Sequence, residues 1–387
     1  MDASPGVDGS LALYVHLPWC VRKCPYCDFN SHQLKSGRPD ASYIDALIRD
    51  FETEAPRLEG RRIETVFFGG GTPSLFAPAD FARLLCALKE RIAFADDAEI
   101  TLEANPGTIE RGRFLGYAQA GINRVSLGAQ SFDARALAVL GRIHSPEDTL
   151  RAVEELKQAK LDNFNLDLMY ALPGQSLEEA ERDVRIACSL APAHISYYQL
   201  TLEAGTIFHS RPPLLPDEDA AWQIQIAGQK LLQEAGYAQY EVSAYARPGA
   251  RCRHNLNYWL FGDYAGIGAG AHGKISMSVP DKILRTAKPK QPRDYQARLA
   301  QTTGSVGESG YIAAADLPFE FMLNALRLND GFSAACYRAR TGLELEILDE
   351  KLVRAQNRGL LEPIAQGWRP TELGRSFLND LQASFLG

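Results

Sequence analysis

The sequence predicts an α/β protein built on a parallel sheet, followed by a mainly helical C-terminal module. Three observations carry this. Six short apolar or β-branched runs lie in the first two hundred residues: Leu11–Leu17, Ile63–Phe68, Glu99–Glu103, Asn123–Leu127, Asn163–Leu168 and Ile195–Leu200. Stretches of helical periodicity separate them, and such alternation implies parallel strands with crossover connections. Beyond about Arg211 the pattern changes to Pro- and Gly-rich sequence and then to a helical tail. The options for the parallel part are an open doubly wound sheet or a complete or partial barrel, and strand count alone does not choose.

The elements follow in order. Tyr43, Ile44, Leu47, Ile48 and Phe51 share one helical face, as do Phe81, Leu84, Leu85 and Leu88. Ser145-Pro146 with Asp148 reads as an N-cap with Pro at the first helical position. Ser176 with Glu179 makes a capping box. Arg211-Pro-Pro-Leu-Leu-Pro216 reads as a linker before another helix, and Thr302–Gly310 as a flexible connection. Phe319–Leu328 and Leu345–Gln356 look helical; Gly359–Pro370 suits a small hairpin, and Thr371–Phe385 a last helix. The expected domains are 1–240, a connecting segment 241–310, and a winged-helix-like domain 311–387.

Composition excludes several function classes. The 387 residues are 45% hydrophobic and 23% charged, enough apolar content for a sizeable core. With 41 Lys plus Arg against 48 Asp plus Glu, the net charge of -7 speaks against nucleic-acid binding. The tail from Asp316 onward is no more basic, with 8 basic and 10 acidic residues. No apolar run approaches the ~18 residues of a membrane span, and the polar N-terminus has no signal-peptide pattern. The seven cysteines, too few for a disulfide scaffold, suit a reducing cytoplasm. There, clustered cysteines serve metals or chemistry.

Three cysteines do cluster, in Cys20-Val-Arg-Lys-Cys24-Pro-Tyr-Cys27 directly after the first run. Three thiolates on one short loop can ligate three irons of a [4Fe–4S] cube and leave the fourth iron open. A zinc site completed by Cys252 and His254 is the alternative; three unrelated thiols are another. Cys86, Cys188 and Cys336 read as packing residues in apolar helical settings. Several polar residues fall at or near C-terminal strand ends, where parallel folds build their sites: His16, Gly69 to Thr72, Glu103, Gln130 and Asp167. Gly268-Ala-Gly270-Ala-His-Gly273 matches G-x-G-x-x-G, but no helix or properly spaced acid follows, so it reads as a tight turn.

The C-x3-C-x2-C loop, Phe68-Gly-Gly-Gly-Thr-Pro73, Glu103 in Thr-Leu-Glu-Ala-Asn-Pro-Gly, and Gly121–Ser131 ending near Gln130 resemble the radical S-adenosylmethionine (SAM) proteins. More narrowly, Tyr14 to about Gly273, with a fitting tail, resembles the oxygen-independent coproporphyrinogen III oxidase family. The resemblance implies a partial (βα)6 TIM-like barrel followed by a mainly helical, winged-helix-like domain. It implies a [4Fe–4S] cluster on Cys20, Cys24 and Cys27. Matching motif positions imply Tyr14, Gly70 and Glu103 around one SAM, and Tyr26, Gly71, Thr72, Gln130, Arg142 and Asp167 around a second.

The family has an oxidase branch and a haem chaperone branch. Asp28-Phe29 follows Cys27 where the oxidases carry a further Cys, and only nineteen residues precede Cys20 where they have a long extension. Cys252-Arg-His254-Asn-Leu-Asn-Tyr258-Trp259 has the H-N-x-x-Y-W form of the chaperone branch, in which the His is implicated in haem binding. Imidazole suits haem iron, and Cys252 and His272 are rival ligands. The expectation is a cytoplasmic haem chaperone that delivers haem to acceptors such as respiratory haemoproteins. Peripheral membrane association and a homodimer stay open. The alternative is oxidative decarboxylation of coproporphyrinogen III in porphyrin biosynthesis.

Overall fold

The computed structural model describes residues 9–35, 39, 41–58, 60–107, 112–277, 282–302 and 304–386. Six strands form its centre: β1 (Ser10–Leu17), β2 (Arg62–Gly70), β3 (Ala93–Ala104), β4 (Arg124–Gln130), β5 (Phe164–Tyr170) and β6 (His194–Gln199). They lie side by side in sequence order, all parallel. Each of the six runs read from the sequence coincides with one of them. β3 starts six residues earlier than expected. Ile63 pairs with Phe94 and Thr65 already with Glu99, so an irregularity in the register absorbs the Ala-Asp-Asp-Ala stretch that shows no alternation.

The crossover helices lie against the sheet. Ser42–Glu54 buries Tyr43, Ile44, Leu47 and Phe51, and Pro78–Lys89 buries Phe81, Leu84, Leu85 and Leu88. Ser145 and Ser176 cap their helices through reciprocal bonds with Asp148 and Glu179. Asp217 caps Glu218–Glu234 after the Pro-rich linker. Cys86 departs from its expected packing role: it is exposed on the outer face of its helix, while Cys188 and Cys336 are half-buried.

β1 does not pair with β6, so the barrel is incomplete. Instead the sheet continues at both edges. Beyond β6 lie β8 (Ala244–Ala246) and β7 (Ala238–Gln239), both antiparallel to their neighbours. Beyond β1 lies β9 (Tyr264–Ile267), parallel to it, then β10 (His272–Ser276), β11 (Ile283–Ala287) and β12 (Glu308–Tyr311). The stretch 241–310 thus does more than connect, since it supplies strands at both edges of the sheet. The β9–β10 turn holds the G-x-G-x-x-G match. Gly268 has φ +101°, and a Cβ there would lie 2.4 Å from the His16 carbonyl oxygen, which explains the glycine without a nucleotide.

Two buried ion clusters tie this edge to the barrel. Lys288 Nζ reaches Asp50 (2.6 Å) and Glu54 (2.7 Å), all nearly inaccessible. Asp263 binds Arg61 and Lys274. The tail packs its own core of Leu317, Phe321, Phe332, Tyr337, Leu352 and Phe385, joined by Phe261. Its hairpin, Leu361–Ile364 with Gly367–Pro370, is antiparallel and extends to Phe332–Ser333. The last helix is broken in two at Phe377, whose φ of -113° and ψ of 44° leave the helical region.

Candidate functional site

The cysteine loop leaves the C-terminal end of β1 and is held on several sides. Trp19–Cys20 pairs with His32–Gln33, closing the loop as a two-stranded ribbon. Trp19 packs edge-on to Tyr43 at 4.5 Å. Cys27 N–H donates to the Cys24 carbonyl (3.2 Å), and Phe208 N–H to that of Pro25 (3.0 Å). The end of β2 supports the loop from below: Gly71 N–H donates to Leu17 O and Thr72 N–H to Trp19 O. A Cβ at Gly71 would sit 2.5 Å from Trp19 O, and one at Gly70 (φ +118°) 2.6 Å from the His16 ring. The triple glycine therefore has a packing reason, close approach to the loop, beside any role towards a ligand.

A cavity of about 320 Å³ opens beside the three thiols at the C-terminal end of the strands. Of the expected residues, Cys20, Cys24, Cys27, Tyr26, Gly70, Gly71, Thr72, Glu103, Gln130, Arg142 and Asp167 all line it. Tyr14 does not. Its hydroxyl donates to His16 Nδ1 (2.9 Å), whose Nε2–H faces the Asn30 carbonyl, so Tyr14 supports the wall behind Gly69.

The cavity's charges are set by burial. Glu103 accepts the Gly70 N–H at 3.1 Å. Burial, reinforced by the nearby Asp167 carboxylate, pushes its carboxyl up to about 8. Asp167 is raised by burial and held by Asn165 (2.7 Å) and Ser126 (3.1 Å). Arg142 donates to Gly128 O (2.9 Å) and lies 3.8 Å from Cys24 Sγ, a cation placed beside a thiol. Tyr198 donates to Gln130 Oε1 at 2.7 Å. The cavity thus joins three thiols at one side to paired carboxyls at the other.

Cys252 and His254 lie elsewhere. Cys252 stands at the N-cap position of the helix Arg253–Trp259, which packs on β2, without a side-chain capping bond, and its Sγ sits 3.7 Å from Glu99 Oε1. The His254 N–H donates to the same oxygen (3.1 Å). The His254 ring is buried between Phe67 (5.1 Å) and Tyr258 (5.1 Å), with Nδ1 on Thr65 Oγ1 at 2.8 Å. Burial, aided by Arg124, lowers its pKa to about 3, so it is neutral. Its Nε2 has no partner among the described residues. Neither side chain joins the loop thiols, so the zinc set that would have combined them is not assembled.

The comparisons with known proteins sharpen this. Residues 14–187 match the Radical SAM superfamily, and residues 312–377 the HemN C-terminal domain. Over 97% of its length and 98% of the relative's, the chain is 49% identical to the heme chaperone HemW of Escherichia coli. The chain belongs to the HemW family. The Haemophilus influenzae heme chaperone HemW is 47% identical over the same shares of each chain. Among solved structures, coproporphyrinogen III oxidase (HemN) from Escherichia coli shares the fold, with a TM-score of 0.82 at 22% identity, covering 98% of this chain and 90% of that one.

Radical SAM membership implies a [4Fe–4S] cluster and SAM for this chain. The residues present fit both. Three thiols lie on one loop, with Arg142 beside Cys24. The adjoining cavity offers carboxylates and amide groups to a ligand that carries ammonium, sulfonium and hydroxyl groups. Sequence reasoning missed Asn105, Ser126, Ser196 and Tyr198, which also line the cavity. Tyr198 and Ser196 alternate with the apolar Ile195 and Tyr197 on β6. That alternation marks an inward polar face, but by itself it cannot distinguish solvent from a cavity. Among the described residues no helix is long and apolar enough to cross a membrane.

Proposed function

We propose that the chain holds a [4Fe–4S] cluster on Cys20, Cys24 and Cys27, binds SAM in the adjoining cavity, and carries haem to acceptor proteins in the cytoplasm. The observation that carries the cofactor half is the single cavity that joins the three thiols to Gly70–Glu103 and Asp167. The cluster, when bound, supplies an open iron for SAM and one-electron chemistry. The chain's own residues do the rest. The thiols fix the cluster, and Arg142 offsets charge beside Cys24. Glu103, with its proton affinity raised, offers either a hydrogen-bond donor or an anion to the ligand near neutral pH. Tyr26, Gly71, Thr72 and Gln130 complete the wall, and with Arg142 and Asp167 they are the positions proposed for a second SAM.

The haem half is supported by the names of the full-length relatives and by the H-N-x-x-Y-W helix. His254 remains the proposed ligand, with its unpartnered Nε2. To reach haem it must leave the barrel's base, which requires the Arg253–Trp259 helix to move. His272 is exposed at the start of β10 and needs no such movement. The test is anaerobic reconstitution followed by haem-binding and coproporphyrinogen assays on one sample. Haem binding and transfer without decarboxylation is expected, with binding lost in His254→Ala and kept in His272→Ala. The reverse pattern of variants would move the ligand to His272; turnover to protoporphyrinogen IX would make the chain an oxidase.

A further inference from the structure

The barrel interior contains a line of hydrogen bonds that the cofactor site does not by itself explain. It begins at the cavity. Asp167 Oδ1 accepts from Asn165 Nδ2 at 2.7 Å, and the same amide nitrogen reaches Ser126 Oγ at 2.7 Å. Asn165 Oδ1 faces the other way and meets His194 Nδ1 at 2.7 Å. His194 Nε2 meets the Tyr240 hydroxyl at 2.9 Å, and that hydroxyl receives the Cys252 N–H at 3.3 Å. Asn165 and His194 are each 1% exposed and Tyr240 is fully buried.

The chemistry makes this line directional. An amide carbonyl turned to the Asp167 carboxylate would be repelled, so Asn165 must present its NH2 there. Its oxygen then faces His194, whose Nδ1 must carry the proton. Nε2 is left as an acceptor, and the Tyr240 hydroxyl donates to it. With Asp167 ionised, each orientation fixes the next, and Ser196 Oγ donates to the same Asn165 Oδ1 at 3.2 Å. Without His194 the Asn165 oxygen would keep only the longer Ser196 bond, and the amide would be held less firmly, because under-satisfied buried polar groups are costly. The Asp167 carboxylate would then lose the shorter of the two bonds that aim it into the cavity, keeping Ser126 Oγ at 3.1 Å.

We propose that His194 is a positioning residue that acts through Asn165 to hold the Asp167 carboxylate in its ligand-binding orientation. This rests on the reading of Asp167 as a SAM contact. The line ends at Cys252, at the N-cap position of the His254 helix, so the base of the barrel and the cofactor cavity share one hydrogen-bonded chain.

The experiment measures SAM affinity on the anaerobically reconstituted full chain by equilibrium dialysis. Removing a partner that orients a ligating side chain lowers affinity by roughly tenfold or more. His194→Phe is expected to show such a loss. His194→Asn, whose amide can replace the Nδ1–H, is expected to recover most of it, which a merely structural role does not require. Asn165→Leu keeps the volume and cuts the same link. It carries the same expectation, and it serves where His194→Phe fails to fold.

The decisive comparison is in an Asp167→Ala background, where His194→Phe should change affinity by less than about twofold, because coupled residues are not additive. An equal loss in both backgrounds overturns the proposal, as does full affinity in His194→Phe or in Asn165→Leu. If Asp167→Ala alone leaves SAM affinity unchanged while His194→Phe weakens it, the reading of Asp167 has failed, and the proposal falls with it for that separate reason.

Discussion

Replacing Glu103 by Gln removes one ionisation and keeps an oxygen that can accept the Gly70 N–H. In the folded chain burial holds the Glu103 carboxyl near 8, against 4.5 for the exposed group. Below pH 4.5 both states keep the proton and there is no penalty. Through the window from 4.5 to about 8 the unfolded chain ionises while the folded chain does not, and wild-type stability drains away. Above about 8 the loss is complete. Linkage puts the loss below ~1 kcal/mol at pH 5, at roughly 3 kcal/mol at pH 7 and at roughly 4–5 kcal/mol at pH 8.5. The cluster-free Glu103→Gln protein should therefore gain on wild type by about 3–4 kcal/mol between pH 5 and pH 8.5. Urea unfolding followed by tryptophan fluorescence at those pH values measures the gap through the shift in midpoint. A gap that stays constant within ~1 kcal/mol would refute the claim that Glu103 is kept strained for a ligand. The same substitution should weaken SAM binding, so the residue would trade stability for function.

Other outcomes follow from the same geometry. Gly71→Ala forces a Cβ against Trp19 O, so iron loading should fall severalfold while far-ultraviolet circular dichroism stays native; full loading would contradict the packing argument. Lys288→Met strands Asp50 and Glu54 in the interior and should cost about 3–5 kcal/mol in urea unfolding, the range for breaking a buried ion pair from one side. Arg142→Met, which removes the cation beside Cys24, should make the reconstituted cluster easier to lose to chelator, read as a faster bleaching of its visible absorbance.

What the sequence revealed depended on the range of the interaction. The six central strands and the capped helices were legible because apolar alternation and caps such as Ser145 and Ser176 are local signals. The edges of the sheet were not. β9 to β12 are short, and the pairing of β9 with β1 joins residues some 250 positions apart, such as Tyr14 and Gly266. The cavity was legible where a motif marked it, as at the cysteines and the glycines. Ser196 and Tyr198 carry no motif, and Ser126 sits inside a motif stretch without being marked by it; the curvature of the sheet brings all three to the cavity. His254 shows the converse. Its motif was clear, but its burial between Phe67 and Tyr258 comes from packing the helix against β2, which no local pattern encodes.

The central claim is that the three loop thiols would hold a cluster with an open iron and that SAM would bind in the adjoining Glu103 cavity. Low-temperature electron paramagnetic resonance of the anaerobically reconstituted and reduced protein tests it most directly. The account predicts a reduced-cluster signal, absent in Cys24→Ala, whose g values move when SAM is added. A cluster signal that saturating SAM leaves unmoved, or a metal analysis that finds zinc without acid-labile sulfide, would contradict it.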